Sequence, residues 1–193
     1  MKRKILASMI VFLLLATTAT ALTLEGSCDI RFFGQSTLHG FDGKVACQPF
    51  TLSSEGETEK TGIIRQPVVR VLVAEMDTDN SARDKKMHAM FEQQKYPQIQ
   101  GLFADLDPGL ILQQLQAVET APGHLEFDLQ IREISQRVQA LTRDLEVTPE
   151  QISFAMEFTL SLASVGLQPP SVLGFIKVDD QVQVKARVLL RRQ

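Results

Sequence analysis

Histidine, cysteine and tyrosine are scarce in this chain and tryptophan is absent: its 193 residues carry three histidines, two cysteines and one tyrosine. His39, His88 and His124 are scattered, and none belongs to a His-x-His or His-x-x-x-His pair, the spacings that bring two imidazoles to one metal ion. His39, with Asp42 close by, is a weak candidate for a surface metal site. A lone histidine in a turn is more often structural, so no metal is expected. Catalytic signatures are missing too. There is no Gly-x-Ser-x-Gly elbow and no glycine-rich phosphate loop. A serine nucleophile would need a base and an orienting acid, and the adjacent carboxylates Asp179 and Asp180 read as a turn before a strand. The chain therefore reads as a non-enzyme. Basic patches interleaved with aromatics are also lacking, and acids outnumber bases 23 to 20. Such a chain does not attract phosphate backbones, which argues against nucleic acid as a partner. The missing tryptophan excludes nothing.

Long apolar runs are confined to the start. Met1-Lys2-Arg3-Lys4 is basic, Ile5 to Ala16 is almost continuously apolar, and Ala19-Thr20-Ala21 offers the small residues a signal peptidase needs. Residues 1–21 are expected to be a secretory signal peptide; the alternative is an uncleaved anchor helix. Cleavage would remove three bases and no acid, making the remainder more acidic. No later run is apolar enough to span a bilayer as a helix. Residues 22–193 show no repeat, linker or low-complexity tract and read as one domain. Export would carry Cys28 and Cys47 into an oxidising compartment, where a pair tends to become a disulfide. Cys28 lies past the cleavage site, so a lipoprotein reading fails.

What is abundant is alternation. Leu24, Gly26, Cys28, Ile30 and Phe32 share one face of a strand, and Phe41, Gly43, Val45 and Cys47 share one face of the next. Setting Cys28 opposite Cys47 in an antiparallel hairpin places Ile30 opposite Val45 and Phe32 opposite Gly43, with the turn near Thr37-Leu38. Apolar faces match in that register, so disulfide, alternation and turn agree. Two free buried thiols are the alternative. Further on, Ser53 to Gly62 reads as a loop, Pro67 to Met76 and Ile99 to Asp105 as strands, and Leu110 to Val118 fits helix or strand equally. Leu125, Phe127, Leu129 and Ile131 alternate with polar residues. Arg137 to Val147 follows, then Phe154, Met156, Phe158, Leu160 and Leu162 on one face, and finally Val182, Val184, Ala186, Val188 and Leu190. About eight mostly antiparallel strands of this spacing predict an all-β sandwich or barrel.

One stretch breaks the alternation. "DTDNSARDKKMHAMFEQQKYPQI", Asp77 to Ile99, predicts a helix near 80–94. Asn80 or Ser81 can cap it, Met87, Met90 and Phe91 lie near one face, and Pro97 ends it. Arg83, Asp84, Lys85 and Lys86 are expected to face water, as is His88. The apolar face can close one end of a barrel.

The sequence resembles the YceI family, exported bacterial proteins with a lipocalin-like barrel. Arg83, Asp84, Phe91, Glu92, Tyr96, Pro97 and Ile99 hold the places of that family's helix motif. "STLHGFDGKVAC" (Ser36 to Cys47) is similar to the hairpin of one branch, "ALTRDLEV" (Ala140 to Val147) to its Leu-Thr-x-Asp-Leu strand, and "VGLQPPSVLGFIKVDDQVQVKARVLL" to its end. Met90-Phe91 stands where many members have two phenylalanines, and Gly40 where many have an acid. The resemblance implies an antiparallel lipocalin-like barrel over residues 22–193, a bacterial periplasmic or secreted location, and an interior that carries or sequesters an isoprenoid or quinone-like lipid, with no other cofactor. Candidate tunnel residues for such a ligand are Phe32, Phe41, Met87, Met90, Phe91, Phe127, Phe154, Met156 and Phe158. Methionines suit a site that adapts to a flexible chain. The alternative is a barrel filled by these same side chains, acting through its surface as an envelope stress-response or interaction protein. The partners expected are the apolar lipid-like ligand and, as an open alternative, a second copy of the chain in a homodimer.

Overall fold

The computed structural model describes residues 23–55, 62–110, 113, 123–169 and 178–193. The expected signal peptide at 1–21, much of the polar 53–62 stretch and most of Leu110 to Val118 lie outside the described residues.

The first long strand, β1 (Thr23–Gln35), buries alternate residues as its sequence predicts: Leu24, Gly26, Cys28 and Phe32 point inward while Glu25, Ser27, Asp29 and Arg31 point out. It turns through Ser36 to His39, where the Ser36 hydroxyl donates to the His39 carbonyl at 2.7 Å, and returns as β2 (Gly40–Ala46). The register has Ile30 opposite Val45 and Phe32 opposite Gly43, as expected. The Cys28–Cys47 disulfide sits just beyond that ladder, with its Cα atoms 5.3 Å apart. The chain then forms β3 (Phe50–Glu55), β4 (Ile63–Ile64), β5 (Val68–Leu72), helix α1 (Ser81–Met90), β6 (Gln98–Leu102), β7 (Gly123–Ile131), β8 (Ile134–Val147), β9 (Gln151–Ser161) and β10 (Gln181–Arg192). All strand pairings are antiparallel.

Among the described residues there are ten strands against about eight expected, because β3 runs into the predicted loop at 53–62 and the short β4 follows it. Thr23 to Gly26 pairs with Phe50 to Ser53, so β1 serves two partners along one edge, β3 near its start and β2 beyond it. The predicted strand from Pro67 to Met76 is shorter than its apolar run. It ends at Leu72 and continues as a single 3-10 turn, Val73–Glu75. Val73 is 1 % exposed, so burial and not extension explains its apolar character.

The sheet order β4-β3-β1-β10-β9-β8-β7-β6-β5 curls until its ends approach, making a half-barrel with one inserted helix. Among the described residues no continuous ladder joins those ends. Isolated bridges do, from Lys44 to Asp77, Cys47 to Val71 and Ile64 to Leu106. Cys47 thus holds β1 covalently and β5 by its backbone, and the disulfide lies at the seam that closes the wall. A crosslink closing a loop of this length contributes about 3 kcal/mol by restricting the unfolded chain.

Three inward glycines on this side face phenylalanines across the ladder: Gly26 opposite Phe50, Gly34 opposite Phe41 and Gly43 opposite Phe32. The approach is close. A Cβ on Gly26 or Gly43 would lie 2.2 Å from the facing ring, where carbon atoms need about 3.5 Å or more. Each ring therefore lies down over its glycine instead of standing into the interior, and the wall stays thin there.

Candidate functional site

Because β1 runs toward the Ser36–His39 turn and its neighbours alternate in direction, one end of the half-barrel collects that turn, the β7–β8 turn, the loop after β9 and helix α1. The helix lies at this end because it joins the finish of β5 to the start of β6.

Polar contacts hold the helix in place, and they involve the residues of the helix motif. The Asn80 side chain caps the helix by accepting from the Arg83 amide at 3.0 Å. Thr78, 5 % exposed, is gripped from two sides. Its amide and hydroxyl donate to Asp84 Oδ1 at 2.9 and 2.5 Å. Its hydroxyl and carbonyl accept from the Arg83 guanidinium at 2.9 and 3.3 Å. Arg83 also lies over the Phe41 ring, 5.1 Å from its centroid. Arg83 and Asp84 thus do not simply face water as charge pattern suggested; they are half-buried and bind the loop before the helix. His88 is half-buried as well, with Nε2 2.9 Å from the Met76 carbonyl oxygen. At the far end, Glu92 adopts a left-handed φ of 52° and pairs with Arg132 at 2.6 Å, while the Tyr96 hydroxyl donates to Glu133. That bond, followed by the charge of Lys95, holds the Glu133 carboxyl below its usual pKa. The helix is therefore fastened to the loop that follows β5 and, just past its finish, to the β7–β8 turn.

Under it lies a cavity of about 800 Å³. All nine predicted tunnel residues line it: Phe32, Phe41, Met87, Met90, Phe91, Phe127, Phe154, Met156 and Phe158. Phe127 holds the middle, stacked on Phe103 at 5.1 Å and edge-on to Phe158 at 5.6 Å. The void continues along β10 from Val182 to Arg192, about 30 Å of strand at ~3.3 Å per residue. Its effect on burial is plain. Ile30, Val69, Met90, Phe154, Phe158 and Val184 face inward yet stay half-exposed, because they look onto empty space instead of onto one another. A filled barrel would have buried them. The volume lies within the usual ~300–1,000 Å³ of ligand pockets.

Polar groups on this wall are few. Thr142, from the Leu-Thr-x-Asp-Leu strand, lines the cavity at 3 % exposure, and its hydroxyl oxygen has no hydrogen-bond partner among the described residues. Sequence reasoning passed over it; the signal available was a threonine at an inward position of an otherwise apolar face. His39 reaches the rim, with Nδ1 2.9 Å from the Gly40 carbonyl oxygen. Among the described residues no group of three His, Cys, Asp or Glu side chains is placed to hold a metal ion, at His39 or elsewhere. No helix among them is long and apolar enough to cross a membrane.

A curled antiparallel sheet around an apolar cavity, stapled by a disulfide and covered at one end by a helix, defines a class of hollow β-barrel-like proteins. The chain belongs to the YceI family: the YceI-like domain matches residues 17–190. In structure it is similar to BcnA from Burkholderia cenocepacia, with a TM-score of 0.61 at 12% identity over 84% of this chain and 95% of that one. It is also similar to a polyisoprenoid-binding domain from Saccharophagus degradans, with a TM-score of 0.56 at 10% identity over 88% and 98% of the two chains. No curated protein matches the chain.

Proposed function

We propose that this chain is an exported, non-enzymatic binding protein that carries or sequesters an isoprenoid or quinone-like lipid inside the half-barrel. The observation that carries this reading is the hollow interior: a void of about 800 Å³ whose lining is overwhelmingly apolar and onto which Ile30, Met90, Phe154, Phe158 and Val184 remain half-exposed. Filling such a void with hydrocarbon removes apolar surface from water at about 25 cal/mol per Å². The polyisoprenoid-binding relative supports the choice of ligand class. Export is supported by the signal-like residues 1–21 and by the disulfide, which belongs in an oxidising compartment. The bacterial periplasm fits both.

The test is to place a charge on the wall. Phe158→Asp and Met90→Asp should leave a folded protein, since both positions are half-exposed, and should abolish retention of added ubiquinone. A carboxylate in that cavity would have to shed water against an overwhelmingly apolar lining. Undiminished retention in both folded variants would remove these side chains from the ligand site. The rival reading, a filled barrel working through its surface, requires a packed interior and gains no support from this cavity.

A further inference from the structure

Of the two hydroxyls buried without a hydrogen-bond partner among the described residues, those of Ser54 and Thr142, only that of Thr142 lines the cavity. Thr142 stands on the inner face of β8 after Val138 and Ala140, and it is 3 % exposed. Neither neighbour across the sheet can satisfy it. On one side is Gly123, which has no side chain, and on the other Met156, whose thioether is a weak acceptor. Both also line the cavity. A valine would fill the same space on this wall, so packing does not explain the hydroxyl. Stripped of water and unpartnered, it works against the fold. Its position along the cavity is equally distinct. Gly123 opens β7, which runs toward the helix end, so Thr142 lies near the opposite end. It is eight residues beyond Ile134, about 26 Å along the strand at ~3.3 Å per residue. The wall on the way there, with Leu129, Phe127 and Phe158, is apolar.

We propose that Thr142 is a neutral binding point deep in the cavity, seating a hydroxyl or carbonyl oxygen on the buried end of the ligand, so that the lipid is oxygenated on the end that lies furthest from the helix. This subsite rests on the carrier reading and adds to it what the deep end of the ligand carries. A ligand hydroxyl there can donate to Thr142 Oγ1 or accept from it, and a carbonyl accepts the Thr142 proton. The bond forms in apolar surroundings, which strengthen it. A plain hydrocarbon end would leave the Thr142 oxygen buried and unpartnered.

The test uses chains that differ by one oxygen at the far end. Palmitic and behenic acids, each with its ω-hydroxy derivative, compete with a hydrophobic fluorophore bound to the purified oxidised protein, and ubiquinone serves as the control for the tunnel itself. The carboxylate keeps its own end in water, so the ω end is the one that enters. In the wild-type chain the hydroxy acid whose length reaches Thr142 should bind at least as tightly as its parent, although an alcohol entering hydrocarbon unaided binds more weakly. Thr142→Val should weaken that hydroxy acid about tenfold and leave the parent acid unchanged or tighter. Thr142→Ser should retain the hydroxy acid. Valine keeps the shape of threonine, and undiminished binding of the parent acid shows that each variant is folded. Weaker binding of both hydroxy acids than of their parents by the wild-type chain would overturn the subsite. So would an equal response of parent and hydroxy acid to Thr142→Val, because the hydroxyl would then serve the fold or an ordered water. Competition by ubiquinone but by no ω-hydroxy acid would overturn it as well, and in all three cases the carrier reading would stand. Failure of ubiquinone and of every acid to compete would overturn both.

Discussion

Gly43 offers a test of the hollow interior that needs no ligand to be known. Its partner across the ladder is Phe32, whose ring would lie 2.2, 2.4 and 2.9 Å from an added Cβ through Cζ, Cε2 and Cε1. Contact distance between carbons is about 3.5–4.0 Å. In Gly43→Ala the ring must therefore retreat by well over an ångström, and the backbone behind it is pinned by the β1–β2 ladder and the disulfide. It can only swing inward. Overpacking a solid core costs about 1–3 kcal/mol. Here the ring swings into a void, so the cost should sit near the low end, about 1 kcal/mol, or about 2–4 °C in Tm for a domain of this size. The displaced ring also narrows the tunnel, so uptake of a hydrophobic fluorophore should fall. Thermal unfolding and fluorophore titration on the same preparation read both effects. Gly43→Ala/Phe32→Leu, with a smaller group facing the new methyl, should recover stability and uptake together. A loss of about 3 kcal/mol or more with uptake unaltered would mean the ring had nowhere to go, and would refute the hollow interior.

Three further outcomes follow from particular contacts. Replacing both Cys28 and Cys47 with alanine should cost about 3 kcal/mol, a fall of about 6–12 °C in Tm, and should open amide exchange first at the β2–β5 seam, where Cys47 bridges Val71. Thr78→Val removes the hydroxyl shared by Arg83 and Asp84 and should cost about 1–2 kcal/mol; hydrogen exchange should quicken in helix α1 while β9 and β10 stay protected. Asp180 has its pKa lowered, first by the Ser161 hydroxyl and then by the Ala163 amide, which donates to it at 2.7 Å. A depressed carboxylate stabilises the fold above its unfolded pKa, about 4, and that contribution is lost as pH falls through the folded value. Acidification below about pH 4 should therefore release the Ala163 amide, seen by NMR, and Asp180→Asn should remove this pH dependence.

Much of the fold was legible because the inner face has period two. Cys28 and Cys47 locked one hairpin, and the alternation through Phe32 and Val45 left one register that buried both faces. The same alternation put Phe127, Phe154, Met156 and Phe158 on the inner wall, and the helix spacing put Met87, Met90 and Phe91 over the end. The hollowness was not legible. It depends on rings lying over Gly26, Gly34 and Gly43, an arrangement set across strands and not along the chain. For the same reason β3 was missed: Ser53 and Ser54 look like loop residues, and their place in the sheet comes from pairing with β1 and β4. The helix fastening was hidden too. Arg83 and Asp84 sit in a charged run that suggests water, and only the fold returns Thr78 to them.

The most direct test of the central claim is to purify the protein from the cells that make it and weigh it by native mass spectrometry, followed by organic extraction. The account predicts a near-stoichiometric bound mass that extracts as an isoprenoid. A bare protein mass with the Cys28–Cys47 bond intact, and no uptake of added isoprenoid, would contradict it.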